Sequence, residues 1–396
     1  MSANEKLVEY QHKALPARVI QIGLLLFIVG AVWSAAAFFA DPLRAKFNYL
    51  VAFTFLASMA VGSLFWIAIE YIAGADWSTP IRRIPEFFGS LLWFVAIAAI
   101  PVILFSHDLY HWTHVETVAS DTILAGKSGY LNEPFFIFRM FVVVGIWLAF
   151  YFFISRNSQN QDKSGDQKLT KINIRLSAAF ILLFAFTITI AGIDWIMSLE
   201  PHFFSTMFGV YYFSGTVLAG ISIITYATVK LNESGYLHPA MSNDTYYSLG
   251  ALMFAFNIFW AYIAFSQYML IWYANLPEET FWFIERMNNG WDMMALGLIL
   301  FHFVIPFLVL LPRSVKTNPK TLKVMSIWLL LAHYYDLYFL IMPTFSPEAF
   351  VFGWMEIGFI LAPFGLAIFV IGWQSRKKNL VPIKDPKLER GLHFHL

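Results

Sequence analysis

Residues 192–204 read Gly192-Ile193-Asp194-Trp195-Ile196-Met197-Ser198-Leu199-Glu200-Pro201-His202-Phe203-Phe204. One long apolar run ends in this stretch, and the next begins directly after it. Asp194 lies about one helical turn inside the end of the first run. Because an acid so close to hydrocarbon is costly, it indicates a functional site by default. The alternative is that the carboxylate reaches the water interface and caps a neighbouring helix.

The composition indicates that the whole chain is an integral membrane protein. Of its 396 residues, 59% are hydrophobic and only 13% are charged, whereas soluble domains carry about 25% charged residues. The net charge of +1 provides no field that would attract nucleic acid. The absence of Cys excludes Cys-ligated iron–sulfur clusters, thioether-bound haem, catalytic thiols and disulfides within this chain.

Ten apolar runs are long enough to cross the hydrocarbon, which takes about 20 residues. The sequence therefore predicts an all-α polytopic membrane protein that forms a single integral membrane domain over residues 1–396. A segment 1–17 precedes the ten-helix bundle of residues 18–373, and a tail 374–396 follows it. The predicted spans are about 18–40, 48–73, 85–106, 134–155, 173–198, 205–230, 246–274, 289–312, 321–343 and 349–373.

The basic residues predict the orientation, since cytoplasmic loops are enriched in Lys and Arg. With the N-terminus inside, few of the 26 Lys and Arg residues fall on the outer side, namely Arg44, Lys46, Lys127 and Arg286, and Arg139 lies within the fourth span. We expect both termini to be cytoplasmic, which needs an even number of spans and agrees with ten.

The connecting segments differ in character between the two sides. The outer segments at about 107–133 and 275–288 are rich in aromatic and acidic residues. They form either a docking face for a partner or an interfacial aromatic belt. His107, His111 and His114 could bind a metal only if they were helical, and we expect that loop to be irregular. The inner segment at about 156–172 reads as a flexible hydrophilic link.

Several polar side chains fall at membrane depth, where they are costly and mark functional paths. From the inner side outward they form a discontinuous ladder of protonatable groups typical of a proton relay. Its members are Glu70 near the inner surface, Asn257, His302 and His333 near mid-membrane, Asp336 one turn further outward, and Asp194 and Glu356 in the outer half.

Each of these residues also has a simpler interpretation. His302 could be a packing histidine, and Glu70 could extend to the inner interface. Asp336 is harder to explain in that way, because it lies roughly 10 Å from the nearer helix end. An unpaired charge there would cost several kcal/mol, so we expect Asp336 to be protonated or paired. Arg139 requires an acidic partner, and Asp194 is the expected one.

Further features of the spans concern ligand binding and helix packing. His302 and His333 fall at similar depth on successive helices and could bind a haem as a His pair, which an absorption spectrum would decide. Pro101, Pro306 and Pro363 fall inside spans, where each frees a backbone carbonyl and predicts a kink. Small residues in the second and sixth spans predict close helix packing.

Two longer motifs carry a resemblance that extends over nearly the whole chain. The first is the stretch 192–204 leading into Tyr211-Tyr212-Phe213-Ser214-Gly215. The second is Ser266-Gln267-Tyr268-Met269-Leu270-Ile271-Trp272-Tyr273-Ala274-Asn275-Leu276-Pro277-Glu278-Glu279. With ten spans and both termini inside, the chain resembles the NrfD/PsrC-like membrane subunits of bacterial quinol-oxidising complexes, which include alternative complex III.

The resemblance implies two four-helix bundles, spans 2–5 and 6–9, flanked by spans 1 and 10, in the bacterial inner membrane. It implies a respiratory chain subunit without a redox cofactor of its own that supports quinol oxidation and conducts protons. Its partners would be a sister subunit of the same fold, iron–sulfur and c-type haem subunits on the outer face, and lipid. If menaquinol or another quinol bound this chain, the implied site residues would be His107, Asp194 and Arg139.

Two other functions fit the same residues. A stand-alone ion-coupled secondary transporter would share the buried acids and kinked helices, although internal repeats with matched discontinuous helices are not evident in the sequence. A purely structural anchor for peripheral subunits would tolerate neutralisation of every buried acid.

Overall fold

The polypeptide is almost entirely helical. The computed structural model describes residues 13–396 and is 80% helical, with no strand in that range. The described residues contain ten helices long and apolar enough to cross a membrane, so the chain is an all-α polytopic membrane protein. They are α1 (Ala17–Ala40), α2 (Pro42–Ala73), α3 (Arg83–Leu104), α4 (Glu133–Ser164), α5 (Lys168–Leu199), α6 (Phe208–Glu233), α7 (Asn243–Ala274), α8 (Trp291–Leu310), α9 (Pro319–Phe345) and α10 (Trp354–Ser375).

Local signals set both ends of α2, and the first of them lies beyond the predicted apolar run. The Asp41 side chain accepts a hydrogen bond from the Arg44 amide at 3.0 Å, and Pro42 occupies the first turn, where its missing N–H has no cost. The helix therefore begins six residues before the predicted span. It ends at Gly74, whose φ of 64° is the left-handed conformation that favours glycine.

The inner segment at 156–172 is helical, and the prediction of a flexible link there is wrong. Helix α4 continues to Ser164 and α5 begins at Lys168, so only residues 165–167 connect them. Polar residues continue the helix beyond the apolar run, because their side chains form hydrogen bonds there. For example, Ser158 donates to Glu86 at 2.6 Å. Hydropathy marks the width of a bilayer and not the length of a helix.

The helices form two four-helix bundles, as predicted. Helices α2–α5 pack as one ring of neighbours and α6–α9 as a second. Helix α2 also packs against α6 and α9, and α5 packs against α6, so the bundles share a broad interface. Helices α1 and α10 pack mainly against each other beside α2.

Glycine allows the closest approaches, as the small-residue pattern of the second and sixth spans predicts. At the crossing of α2 and α6, a Cβ on Gly220 would come 2.8 Å from the Gly62 carbonyl oxygen. At the crossing of α1 and α10, a Cβ on Gly30 would come 2.9 Å from the Gly358 carbonyl oxygen. Helices embedded in lipid associate through such close backbone packing.

The outer segment after α3 forms short helices in place of the expected irregular loop, namely Ser106–Leu109, His111–Thr113, Val115–Ser120 and Thr122–Lys127. Its side chains bond to the stretch 192–204. Tyr110 donates to the Trp195 carbonyl at 3.1 Å, and Lys127 donates to the Pro201 carbonyl at 2.6 Å. From the other bundle, Trp282 of the helix Pro277–Glu285 stacks on Phe203. The stretch therefore joins the outer segments of both bundles.

The tail after α10 folds back onto the neighbouring loops. It contains the short helix Leu388–Leu392, and Asp385 forms a buried ion pair with Arg82. Burial lowers the pKa of Arg82, but the surrounding Tyr71 and acids outweigh this, so its pKa is raised above the ordinary value. Residues 1–12, which hold most of the predicted N-terminal segment, lie outside the described residues.

Candidate functional site

The polar centre of the protein lies inside the second bundle. His302, His333 and Asp336 bring one ligand atom each within 4.8 Å of one another, and all three are buried. We call these three residues the central cluster. Tyr211 on α6 and Trp260 on α7 complete its surroundings. Every helix of the second bundle thus contributes a side chain to one site.

Asp336 is held by neutral donors. Its Oδ1 accepts from the Tyr211 hydroxyl at 2.5 Å, and its Oδ2 accepts from the Trp260 indole N–H at 3.0 Å. Within residues 13–396, no Lys or Arg forms an ion pair with it. The sequence predicts that Asp336 is either protonated or paired. The described part of the chain contains no cation that forms such a pair.

The two histidines beside Asp336 lack hydrogen-bond partners. Neither ring nitrogen of His302 or of His333 has one among the described residues. The His302 ring stacks face to face on Trp260, with the centroids 3.6 Å apart and the planes inclined by 20°. The His333 ring lies against Gly215 of α6, where a Cβ would come 2.6 Å from Cε1. Packing fixes both rings, while their nitrogens remain available to bind or pass on a proton.

His302 lies in an irregular part of α8. Residues Leu298–Val304 form a π-helix, and Pro306, which lacks a backbone N–H, follows two residues later. Such π segments occur mostly at functional positions. Asn257 of α7 donates to the Phe303 carbonyl at 3.4 Å, and its own oxygen has no partner among the described residues. The kink predicted at Pro306 thus lies beside the central cluster.

The central cluster is the group in the described chain that could hold a metal ion. Zinc with bonds of about 2.0–2.1 Å in a tetrahedral site places its ligand atoms roughly 3.3 Å apart. The three ligand atoms lie within 4.8 Å of one another, so small side-chain movements would be enough to reach this spacing.

Asp194 has a different environment from Asp336. Its Oδ2 lies 2.5 Å from Nε of Arg139, and both residues are buried. The ion pair predicted from the sequence is present. Arg139 also lies over the Tyr130 ring at 3.9 Å and donates to the Tyr130 carbonyl. Burial, followed by the nearby charge of Asp194, raises the pKa of Tyr130 to about 12. Asp194 is therefore one half of a structural ion pair in the first bundle.

Glu356 is also fully engaged. Its carboxylate accepts from Arg44 at 2.8 and 2.9 Å, from Asn48 at 3.0 Å and from the Gly353 amide at 2.7 Å. These four hydrogen bonds to a buried carboxylate fasten the start of α10 to α2. The place of Glu356 at the outer end of a proton ladder stays a prediction.

Glu70 lies apart from the central cluster at the inner end of α2. It is buried close to Arg82, and one of its oxygens has no hydrogen-bond partner among the described residues. No hydrogen bond, ion pair or ring contact within residues 13–396 links it to His302, His333 or Asp336. The structure therefore shows no continuous ladder from Glu70 to the cluster.

Within residues 13–396, no hydrogen bond, ion pair or ring contact links the outer histidines to Asp194 or Arg139. His107 and His114 stack at 4.1 Å between ring centroids, and the His114 ring nitrogen lies 2.7 Å from the His107 carbonyl. These contacts are local to the outer segment. Of the residues implied for a quinol site, Arg139 and Asp194 contact each other, and the site itself stays a prediction.

Sequence reasoning missed the residues that hold Asp336. In the sequence, Tyr211 stands out only as part of a motif and Gly215 only as one of the small residues of the sixth span. Nothing in the sequence distinguishes Trp260. Tyr211 and Asp336 lie 125 positions apart, and hydropathy says nothing about which helix faces which. The available signal was that Tyr211 and Gly215 are four residues apart and so share a helix face. Comparison with protein-family models and with curated proteins finds no match for this chain.

Proposed function

We propose that this chain is the membrane subunit of a bacterial respiratory quinol-oxidising complex, like the ActF subunit of alternative complex III, and that its central cluster conducts protons. The observation that carries the proposal is Asp336, a buried acid held only by neutral donors beside two histidines with free ring nitrogens. The protein would lie in the cytoplasmic membrane with both termini inside, in keeping with the distribution of Lys and Arg.

The chemistry of the cluster suits proton transfer. A carboxyl held by Tyr211 and Trp260 can gain or lose a proton without breaking an ion pair. A neutral imidazole can accept a proton at one nitrogen and release one from the other. Buried chains of Asp, Glu and His in membrane proteins mark such relays. Asp336, His333 and His302 lie close enough that a proton would need only short steps, directly or through water.

The proposed route is shorter than the sequence suggests. It comprises Asn257, His302, His333 and Asp336, with Tyr211 next to the acid. Asp194 and Glu356 lie outside it, because each would have to break an ion pair with arginine to take up a proton. Glu70 as the inner entrance stays a prediction.

Quinol oxidation itself would belong to the complex and not to this chain alone. The described chain offers no Cys ligand for a cluster, and the redox groups would be carried by iron–sulfur and c-type haem partners beside a sister subunit. Gentle purification with subunit identification and a visible spectrum tests this assembly. A chain that purifies alone and without haem absorption would overturn it and favour a stand-alone transporter.

Proton conduction is tested in the purified complex reconstituted into proteoliposomes. Asp336→Asn should reduce protons translocated per electron at least tenfold, because the amide cannot be protonated at neutral pH, while subunit assembly is retained. The matched control is Asp292→Asn, an exposed acid at the start of α8, which should translocate normally. Full translocation by the Asp336 variant would exclude the proposed route.

A further inference from the structure

The central cluster supplies the kind of ligand set that transition metals prefer. His302, His333 and Asp336 each offer one ligand atom, and these atoms lie within 4.8 Å of one another. The side chains come from two neighbouring helices, since His302 lies on α8 and the other two lie one turn apart on α9. Two imidazoles with one carboxylate bind zinc and non-haem iron in other proteins. The cluster therefore has the residue types and the proximity of a three-ligand metal site.

The ligand atoms still have lone pairs to offer. Neither ring nitrogen of His302 or of His333 has a hydrogen-bond partner within residues 13–396, and both side chains are buried. Each oxygen of Asp336 accepts one hydrogen bond, whereas an ionised carboxylate has about four sites for a partner. A buried polar atom without a partner is costly. A bound cation would satisfy one nitrogen of each ring and so offset part of that cost.

Neighbouring residues hold the ligands in position. Tyr211 and Trp260 donate to the two oxygens of Asp336, one to each, and such outer hydrogen bonds orient a ligating carboxylate. A Cβ on Gly215 would come 2.7 Å from Nδ1 of His333 but 3.8 Å from Nε2. Helix α6 therefore covers the Nδ1 side of this ring, and Nε2 is the nitrogen that is freer to bind an ion.

The charge around the cluster favours a cation. Asp194 and Glu356, which are acids buried in the outer half, each form an ion pair with an arginine. By contrast, Asp336 forms no ion pair with a Lys or Arg of residues 13–396. An ion at the cluster would therefore meet a carboxylate that no other cation has claimed. Mg²⁺ and Ca²⁺ prefer oxygen ligands, whereas imidazole suits zinc, copper, iron and nickel, so the ligand set selects a transition metal.

We propose that the central cluster binds a divalent transition-metal ion such as Zn²⁺ through His302, His333 and Asp336, and that the bound ion blocks proton transfer there. The binding follows from the ligand geometry alone. The block rests on the proposed function, because the ion would occupy the lone pairs that take up a proton. The inference thus adds an inhibitor, and a means of regulation, to the proposed route.

Binding at this site should be reversible. The second nitrogen of a ligating histidine usually donates to a carbonyl or a carboxylate. No such acceptor is bonded to His302 or His333 within residues 13–396. The loss of an outer contact of this kind weakens metal binding about 10–100-fold. We therefore expect an ion that exchanges with a chelator and not a permanently bound cofactor.

Binding is tested with Zn²⁺ alone, added in excess Mg²⁺ to the purified complex after treatment with a chelator. Equilibrium dialysis measures the bound zinc. Two variants remove a donor with little change in shape, namely Asp336→Asn and His302→Phe, whose ring can still stack on Trp260. Each should weaken zinc binding at one site at least tenfold. Zinc binding equal to that of the wild type in both variants would overturn the assignment.

X-ray absorption at the zinc edge identifies the ligands without any variant, so it does not depend on how well a variant assembles. The first shell should contain two imidazole nitrogens and carboxylate oxygen at about 2.0–2.2 Å. Thiolate sulfur in that shell would contradict the proposal, because this chain contains no Cys. The matched control is His202→Ala, which removes an exposed imidazole beside Asp121 and should leave both the binding and the spectrum unchanged.

The block is tested in proteoliposomes that contain the complex. Saturating Zn²⁺ on both sides should lower the protons translocated per electron at least tenfold, and a chelator should restore the original value. Mg²⁺ should have no effect, and His202→Ala should be inhibited like the wild type. Normal translocation with zinc bound at the cluster would exclude the block. Loss of inhibition in His202→Ala would exclude it as well, because the ion would then act at the outer surface.

The two proposals fail separately. Zinc binding that needs His302 and Asp336, together with full translocation by Asp336→Asn, would retain the metal site and remove the proton route. Reduced translocation by Asp336→Asn, together with zinc binding that neither cluster variant affects, would leave proton conduction standing and remove the metal site.

Discussion

The two four-helix bundles bury acids in opposite ways. In the first bundle, Asp194 lies 2.5 Å from Arg139, so its charge is compensated. In the second bundle, the hydrogen bonds to Asp336 within residues 13–396 come from the hydroxyl of Tyr211 and the indole of Trp260. An ion pair fixes a protonation state and serves structure. An acid among neutral donors can change its protonation state without breaking an ion pair, and the proposed proton route rests on this difference between the bundles.

The largest expected effect is on stability in the first bundle. Asp194→Asn leaves the buried Arg139 without a counter-charge and should lower the free energy of unfolding by about 3–5 kcal/mol. Thermal unfolding of the purified protein in detergent should show a clearly lower midpoint. The double variant Arg139→Met with Asp194→Leu should recover most of the loss, since it removes both charges together. A single variant as stable as the wild type would mean that the pair contributes little.

A smaller effect is expected where α6 meets the central cluster. Gly215→Ala would place a Cβ 2.6 Å from Cε1 of His333, and overpacking of this kind costs about 1–3 kcal/mol. Because the His333 ring must move, proton translocation should fall as well. Gly145→Ala on α4 is the control, since a Cβ there meets nothing within 4 Å and should be neutral or slightly stabilising. Equal behaviour of the two variants would contradict the close packing of His333.

The stability of the second bundle should respond little to removal of its acid. Asp336→Asn loses about one hydrogen bond and leaves no unpaired cation among the described residues, so the change should stay within about 1.5 kcal/mol. The same thermal unfolding measurement applies. A loss as large as that of Asp194→Asn would show that Asp336 has a charged partner and would remove the contrast between the bundles.

The smallest effect is expected at the exposed outer surface. Backbone amides, first that of Leu124, and then the side chain of His202 hold the pKa of Asp121 below its usual 3.8. Because the folded pKa is depressed, the stabilisation is fully present above pH 3.8 and is lost as pH falls through the lower folded value. Hydrogen exchange of the Thr122–Lys127 helix, corrected for its intrinsic pH dependence, should quicken only in that acidic range. His202→Ala should shift the onset upward, and an unchanged onset would contradict the contact.

The sequence identified nearly every buried titratable residue of the candidate site but few of its contacts. Asp336, His302 and His333 stand out because polar side chains are rare in apolar runs. His333 and Asp336 share a helix face by their spacing alone. The partner of Asp194 could also be predicted, because Arg139 lies well inside the fourth span and falls at a similar depth. The contacts of Glu356 could not be predicted, because Arg44 lies 312 positions away and no local pattern connects them.

By itself, the sequence determined that the chain crosses the membrane ten times as helices, since a run of apolar residues must satisfy its own backbone hydrogen bonds in lipid. It also determined which costly polar groups are buried. Only the tertiary structure decided which of them are compensated. That depends on the rotation of each helix about its axis, which hydropathy does not encode. The stretch 192–204 is an example. Its sequence places Asp194 at a helix end, but the packing of α4 against α5 brings Asp194 into an ion pair with Arg139.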